Sequence, residues 1–449
     1  MDRVAEVRHL CSGFSAIHFG LPLEILRSGD SYLQQASASL GGLRKKGGNM
    51  RKILIATAGR SDFGINRQIM DQIVRTPGMD YSLLVTGAHL STAGGLTVRE
   101  IEAERRPIGA RIALPDSYGS GAATAAAMGV ALTGTAEYLA REHIDMMLIV
   151  GDRFEMIAIA AATVPFNIPL VHVHGGEVSF GAIDDAFRHA ITKMAHLHFA
   201  ATEDYALRIV RMGEEPWRVT VSGAPGLDNV RLAQLPDRVT LARQFNLDLS
   251  EPPIVVTFHP VTRQPGEAQR QTEALLAALD RFRQPVVITA PNADAEADVI
   301  RDMILAFVAR RPRTFFVENF GALNYLAMLR EAAAAVGNSS SGLIETPAFK
   351  LPTVNIGDRQ LGRTRGMNVV DTPAEADAIA RAIERVIDPA FRASIAAMDN
   401  PYGDGHAAER IVEVLRNVPI DARLVAKPFY DGPVELNGGA HGATSEPPR

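Results

Sequence analysis

The chain has 449 residues, 47% of them hydrophobic and 22% charged, a globular composition whose length implies two or three domains at about 100–200 residues each. A formal net charge of −5, with no lysine or arginine run able to track a phosphate backbone, argues against nucleic acid as a partner. One cysteine, Cys11, excludes an intramolecular disulfide or thiolate–metal cluster and suits a reducing cytoplasm, and no apolar window reaches the 18 or so residues that a membrane span needs.

Residues 1–49 read as an extension expected to be disordered. Their semi-apolar stretch Leu10–Leu23 is interrupted by His18 and lacks a small-residue cleavage site, which argues against a signal peptide. They close in the glycine-rich linker Gly41-Gly-Leu-Arg-Lys-Lys-Gly-Gly-Asn49, so Met50 is itself a candidate start. From there short apolar runs alternate with helical periodicity. Lys52-Ile-Leu-Ile-Ala-Thr57, Tyr81-Ser-Leu-Leu-Val-Thr86, Met146-Met-Leu-Ile-Val150, Pro169-Leu-Val-His-Val173, His196-Leu-His-Phe-Ala200 and Arg218-Val-Thr-Val221 form one series of strands. Ile254-Val-Val-Thr-Phe258, Pro285-Val-Val-Ile-Thr289, Thr314-Phe-Phe-Val317, Ala333-Ala-Ala-Val336 and Pro352-Thr-Val-Asn-Ile356 form a second. Continuous apolar strands separated by helices predict an α/β fold of two doubly wound, Rossmann-like domains. The expected boundaries are 50–230 and 231–400, with a closing helix at 401–420 and a tail at 421–449. The connection is placed between Gly223-Ala-Pro-Gly-Leu-Asp228 and Ser250-Glu-Pro-Pro253.

Polar residues cluster just after the strands: Arg60, His89, Asp152, Glu177, His259, Asn292 and the run Asn338–Ser341. Ligands of open parallel sheets bind beyond the carboxyl ends of strands, so two such domains face one cleft lined by these positions. Asn338-Ser-Ser-Ser-Gly-Leu-Ile-Glu345 opens a helix whose free N–H groups at Ser339, Ser340, Ser341 and Gly342 favour a phosphate, although a serine N-cap accounts for the same composition. Glu345 sits one turn on, able to accept from sugar hydroxyls. Arg60, Arg153, Arg359 and Arg363 lie in loops from which a guanidinium reaches a phosphate; a solvated surface arginine is the blander alternative for each. Asp152, Glu177, Asp184 and Asp185 are carboxylates able to serve as acids or bases, and Asp184 and Arg188, four apart, share a helix face. His172 and His174 alternate on a strand, a spacing that also suits a metal, but the adjacent Gly-Gly and the absence of thiolates favour a site without one.

Taken in order, Gly59-Arg-Ser-Asp62, Thr86-Gly-Ala-His-Leu-Ser91, Gly151-Asp-Arg-Phe-Glu155, His172-Val-His-Gly-Gly-Glu177, Ile183-Asp-Asp-Ala-Phe-Arg-His-Ala-Ile-Thr-Lys193, Gly223-Ala-Pro-Gly-Leu-Asp228, Phe258-His-Pro260, Pro291-Asn292, Gly337–Glu345 and Gly357-Asp-Arg-Gln-Leu-Gly-Arg363 resemble the UDP-N-acetylglucosamine 2-epimerase family, in its hydrolysing branch. The resemblance implies a glycosyltransferase-B-like fold binding a UDP-sugar in the interdomain cleft, with no metal and no cofactor. It implies elimination of UDP across C1 and C2, then addition of water to give the free sugar inverted at C2, for nonulosonic (sialic- or legionaminic-type) acid synthesis. By the same resemblance Arg60, Arg153, His259, Asn292, Ser339, Ser340, Ser341, Gly342, Glu345 and Arg359 would hold UDP. Asp152, His174, Glu177, Asp184 and Arg188 would act at the sugar.

The chain departs from the family at His174, where members acting on UDP-N-acetylglucosamine commonly have glutamate, and it carries one more residue between Glu177 and Asp184. His174 with Glu177 resembles the subgroup acting on a 2,4-diacetamido-2,4,6-trideoxy sugar, which leaves the sugar open. A UDP-sugar glycosyltransferase and a non-catalytic nucleotide-sugar sensor are the readings from other classes. The expected partners are the UDP-sugar and further copies of the chain, as a dimer or tetramer, with no nucleic acid and no membrane.

Overall fold

The computed structural model describes residues 50–92, 95–115, 120–180, 183–292 and 296–435; the expected extension 1–49 lies outside them. Two parallel sheets form. The first contains β1 (Arg51–Thr57), β2 (Met79–Thr86), β3 (Ile108–Ile112), β4 (Met146–Val150), β5 (Leu170–Val173), β6 (Leu197–Ala200) and β7 (Val219–Val221), in the order β3-β2-β1-β4-β5-β6-β7. The second contains β8 (Ile254–Thr257), β9 (Val286–Thr289), β10 (Thr314–Val317), β11 (Ala334–Gly337), β12 (Thr353–Ile356) and β13 (Val369–Thr372), in the order β10-β9-β8-β11-β12-β13.

The period of two along a strand explains why helices cover both faces. In β1, Ile53 and Ile55 join a core with Ile69, Ile73 and Leu415. Leu54 and Ala56 point the other way, into a core with Leu139 and Met156. β8 divides likewise, Ile254 and Val256 on one side and Val255 on the other. Two strands, β3 and β13, escape the sequence reading. Both are edge strands, Ile-Gly-Ala-Arg-Ile and Val-Val-Asp-Thr, partly exposed and therefore without the continuous apolar run that marks a central strand. Among the described residues no helix is long and apolar enough to cross a membrane.

In each sheet the strand order reverses once, between β1 and β4 and between β8 and β11. These switch points open the crevices in which such sheets bind ligands. The chain then returns to the first sheet. Helix Ala407–Asn417 places Ile411, Val412 and Leu415 against Ile69, Met70 and Ile73, and Arg51 donates to the Leu415 and Val418 carbonyls. Residues 421–430 continue along this sheet, where Lys427 donates to the carbonyls of Lys193 and Ala195 at the end of helix Asp184–Met194, a favourable place for a cation.

The fully buried Glu214 neutralises that lysine, taking bonds from Lys427 (2.9 Å), Lys193 (2.5 Å) and His198 Nε2 (3.1 Å). Burial opposes its ionisation, but His198 and the lysines outweigh it and hold the carboxyl at about 2. Glu214→Ala leaves Lys427 largely buried and unpaired, and is expected to lower unfolding free energy by about 3–5 kcal/mol in urea at neutral pH. Because the folded carboxyl titrates below its unfolded counterpart, the stabilisation is complete above the ordinary carboxyl range and lost toward pH 2, so the gap from the parent narrows on acidification.

Candidate active site

Beside the first switch point, β4 leads into Gly151-Asp152 and its neighbour β5 ends at Val173. His172 lies inside β5, fully buried, with Nε2 2.8 Å from the Gly151 carbonyl and Nδ1 3.1 Å from Thr192 Oγ1. Burial pushes its pKa down to about 3, so it is a neutral prop under the loop that carries Asp152. The expectation that His172 and His174 share one strand face does not hold, because β5 stops at Val173 and His174 adopts a left-handed backbone, φ +64°. The turn continues through Gly176 (φ +75°), where a Cβ would collide with the Tyr205 carbonyl, so only glycine fits. The turn brings Glu177 back beneath His174, Oε1 to Nδ1 2.6 Å.

Helix Asp184–Met194 supplies Arg188, and Asp184 opens the same helix, half-buried. Arg188 reaches away from its own helix. It donates to Asp152 Oδ2, to Glu177 Oε2 (3.3 Å), to Ser179 Oγ (3.3 Å) and to the His174 carbonyl (3.2 Å). Asp185 stays behind the cluster, accepting from the Ser179 backbone at 2.6 Å.

The second sheet completes this cluster. Arg363, after β12, lies with Nη1 3.0 Å from Glu177 Oε2 and Nη2 3.1 Å from Ser179 Oγ. The sequence marks it as a loop arginine able to reach a phosphate; its burial against Glu177 comes from the apposition of the two halves. Burial opposes ionisation of Glu177, yet Arg363, His174 and Arg188 together prevail and hold its carboxyl well below the usual range. The apposition is fixed nearby by Tyr205 and Tyr402. Tyr402 donates to the Thr364 carbonyl (2.8 Å), the Thr364 N–H donates to Tyr205 (2.8 Å), and the two hydroxyls lie 3.1 Å apart.

At the second switch point Asn338 ties β8 to β11: its side chain accepts from the His259 N–H and donates to the His259 carbonyl, both at 2.8 Å. Its own carbonyl takes Arg359 Nη1 (3.2 Å) and Gln360 Nε2 (2.9 Å). Gly337 before it packs so closely on β8 that a Cβ would collide with the Thr257 carbonyl. His259 is buried, and burial, with Arg359 beside it, keeps its pKa well below the usual value. Since the Asn292 N–H donates to Nδ1 at 3.0 Å, the neutral ring carries its proton on Nε2 and offers a donor there. Ser339, Ser340, Ser341 and Gly342 lead into a helix of only four residues, Ser341–Ile344. Glu345 follows it, close against Gly226 of the first half. Its Oε2 is enclosed with no hydrogen-bond partner, and burial raises the carboxyl to about 7.

The remaining expected residues are placed less centrally. Arg60 is half-exposed on Glu100 (2.7 Å). Arg153 meets the buried Glu155 with two bonds of 3.1 Å. His89 is a structural link between Thr57 (2.9 Å) and Thr97 (2.7 Å), with burial lowering its pKa to about 4.

A family model described as UDP-N-acetylglucosamine 2-epimerase matches residues 71–416. The chain is 33% identical over 386 residues to the polysialic acid biosynthesis protein P7 of Escherichia coli, covering 86% of this chain and 98% of the relative. It is equally 33% identical, over 84% of this chain and 99% of the relative, to a UDP-N,N'-diacetylbacillosamine 2-epimerase (hydrolyzing) of Legionella pneumophila. The crystal structure of a UDP-GlcNAc 2-epimerase from Neisseria meningitidis bound to UDP-GlcNAc superposes with TM-score 0.70 at 15% identity, covering 82% of this chain and 100% of that one; this likeness is one of fold.

The enclosed Glu345 gives a pH test of the geometry. Its folded pKa lies above the unfolded carboxyl value, so the folded protein loses stability as pH rises from about 4.5 to 7. Glu345→Gln lacks that loss. Its unfolding free energy is expected to gain about 1–3 kcal/mol on the parent between pH 5 and 8 in ligand-free protein, followed by urea titration.

Proposed function

The chain belongs to the UDP-N-acetylglucosamine 2-epimerase family, and from that premise we propose that it is a hydrolysing 2-epimerase that eliminates UDP from a UDP-2-acetamido sugar and hydrates the product. The observation that carries this reading is the pairing of two unlike chemistries across one cleft. The second half offers donors that suit a leaving pyrophosphate: His259 Nε2–H, Arg359, and the backbone at Ser339 and Ser340; the expected N–H groups of Ser341 and Gly342 are instead taken up by Ser339, through its Oγ (3.4 Å) and its carbonyl (3.1 Å). The first half offers Asp152, His174 and Glu177 gathered around Arg188, a set suited to moving protons.

Expelling UDP develops negative charge on the β-phosphate oxygen, and donors fixed before reaction stabilise that charge without reorganising. Each charge-assisted bond contributes about 1.5–3 kcal/mol where it tightens in the transition state. Glu345 is proposed to accept from a ribose hydroxyl, a reading supported by its enclosed Oε2, which lacks a partner. The roles of Arg60, Arg153 and Asn292 toward UDP, and of Asp184 toward the sugar, rest on the family resemblance. No step requires a cofactor.

The sugar is proposed as a 2-acetamido hexose, UDP-N-acetylglucosamine in the first reading. A 2,4-diacetamido-2,4,6-trideoxy sugar is the second, favoured by His174 and by the likeness to the Legionella pneumophila enzyme. A homo-oligomer, dimer or tetramer, is proposed, helix Gly121–Leu139 leaving Val130 and Leu132 each 41% exposed; light scattering that returns a monomer mass removes this part.

Incubation with each UDP-sugar and no acceptor tests the reaction. UDP and free C2-inverted sugar in equal amounts are expected by proton NMR. A transferase would give negligible turnover and a sensor binding alone. Asp152→Asn and Asp184→Asn are expected to lower kcat at least ~10²-fold while UDP affinity by calorimetry stays within about threefold. His259→Ala is expected to weaken UDP binding.

A further inference from the structure

We propose that His174 is the base that removes the C2 proton, through Nε2, with Glu177 and Arg363 as the positioning residues that aim it. The proposal rests on the hydrolysing-epimerase reading and assigns within it which group takes the proton.

The tautomer follows from the bonds. Glu177 Oε1 lies 2.6 Å from His174 Nδ1, and its Oε2 faces two guanidinium groups, Arg363 at 3.0 Å and Arg188 at 3.3 Å. A carboxylate held by two cations only accepts, so Nδ1 of the neutral ring bears the hydrogen and Nε2 bears the lone pair. Among the described residues Nε2 has no hydrogen-bond partner, and His174 keeps 6% of its surface exposed. The backbone fixes where the ring points. A left-handed non-glycine residue is uncommon and strained. It is held by its N–H on the Phe199 carbonyl (3.0 Å) and its carbonyl on Arg188 (3.2 Å).

The carboxylates are poorer bases here. Glu177 has both oxygens occupied by cationic or N–H donors, and Asp152 is bound by Arg188. Burial works against the charge on Glu177, but Arg363, His174 and Arg188 still hold it ionised, which weakens its hold on a proton. A histidine whose Nδ1–H is bound by a carboxylate is the opposite case, since the partner stabilises the imidazolium that forms.

In the step, the C2–H bond breaks and the proton passes to His174 Nε2. The electron pair forms the C1–C2 double bond, and the C1–O bond breaks toward the β-phosphate oxygen, releasing UDP. Water then adds its oxygen to C1 while C2 receives a proton. Inversion requires that proton to arrive on the face opposite the one deprotonated, so the base and the later acid are different groups. Arg363 comes from the half that carries the pyrophosphate donors, so the base is aimed only when the halves are together.

The test uses His174→Asn, which keeps an N–H donor where Nδ1 stands and removes Nε2, and His174→Gly, which suits the left-handed backbone. For both, UDP release is expected to fall at least ~10²-fold, with UDP affinity by calorimetry within about threefold. The 2-acetamidoglycal offered directly is still hydrated at a rate within about fivefold of the parent. The proposal is overturned if either variant keeps more than one fifth of parental UDP release, or if glycal hydration falls as far as elimination. If the parent itself releases no UDP from any UDP-2-acetamido sugar, the failure lies with the reaction reading, separately from His174.

Discussion

The rest of the site depends on one buried carboxylate. Glu177 is 1% exposed, and an ionised group so placed persists only where other charges and donors replace water. His174 and Arg188 come from its own half and Arg363 from the other. Taking away either guanidinium leaves buried charge uncompensated, and taking away His174 leaves Oε1 without its donor. Apolar contacts among Tyr205, Ile209, Leu343, Ile344 and Tyr402 supply area between the halves. The ion pair supplies register, because it is satisfied in one arrangement only.

From this arrangement the division of labour follows. The same fold is used twice, and each sheet presents its switch point to the cleft, but the loops carry opposite chemistry. β4 and β5 lead into carboxylates and a histidine threaded by Arg188. β8 and β11 lead into a neutral histidine, an asparagine that locks two strands together, and hydroxyl groups. A reaction that moves a proton at one carbon and releases an anion from the next needs both, held a fixed distance apart. The return of the chain to the first sheet also contributes, since Lys427 caps the helix that carries Arg188.

Much of this is legible in the sequence. Central strands announce themselves as apolar runs, and residues just past them, such as Asp152 and His259, line the cleft because that is where parallel sheets leave room. β3 and β13 lack an apolar run, Ile-Gly-Ala-Arg-Ile and Val-Val-Asp-Thr being interrupted and partly exposed at a sheet edge. Arg363 reads in the sequence only as a loop arginine suited to a phosphate; its pairing with Glu177, 186 positions away, leaves no trace in local spacing. His174 looked like one of two alternating strand residues; only the left-handed turn at the end of β5 separates its role from that of His172. The direction of Arg188 was likewise tertiary, set by Asp152 and Glu177 rather than by helical spacing.

The central claim is that the second half completes the catalytic cluster through Arg363 and Glu177. A double-mutant cycle on kcat/KM for UDP release measures it directly, using Arg363→Met, Glu177→Gln and the two combined. The account predicts a coupling of at least about 1.5 kcal/mol, the second substitution costing much less once the first is made. Effects that add to within about 0.5 kcal/mol would contradict it.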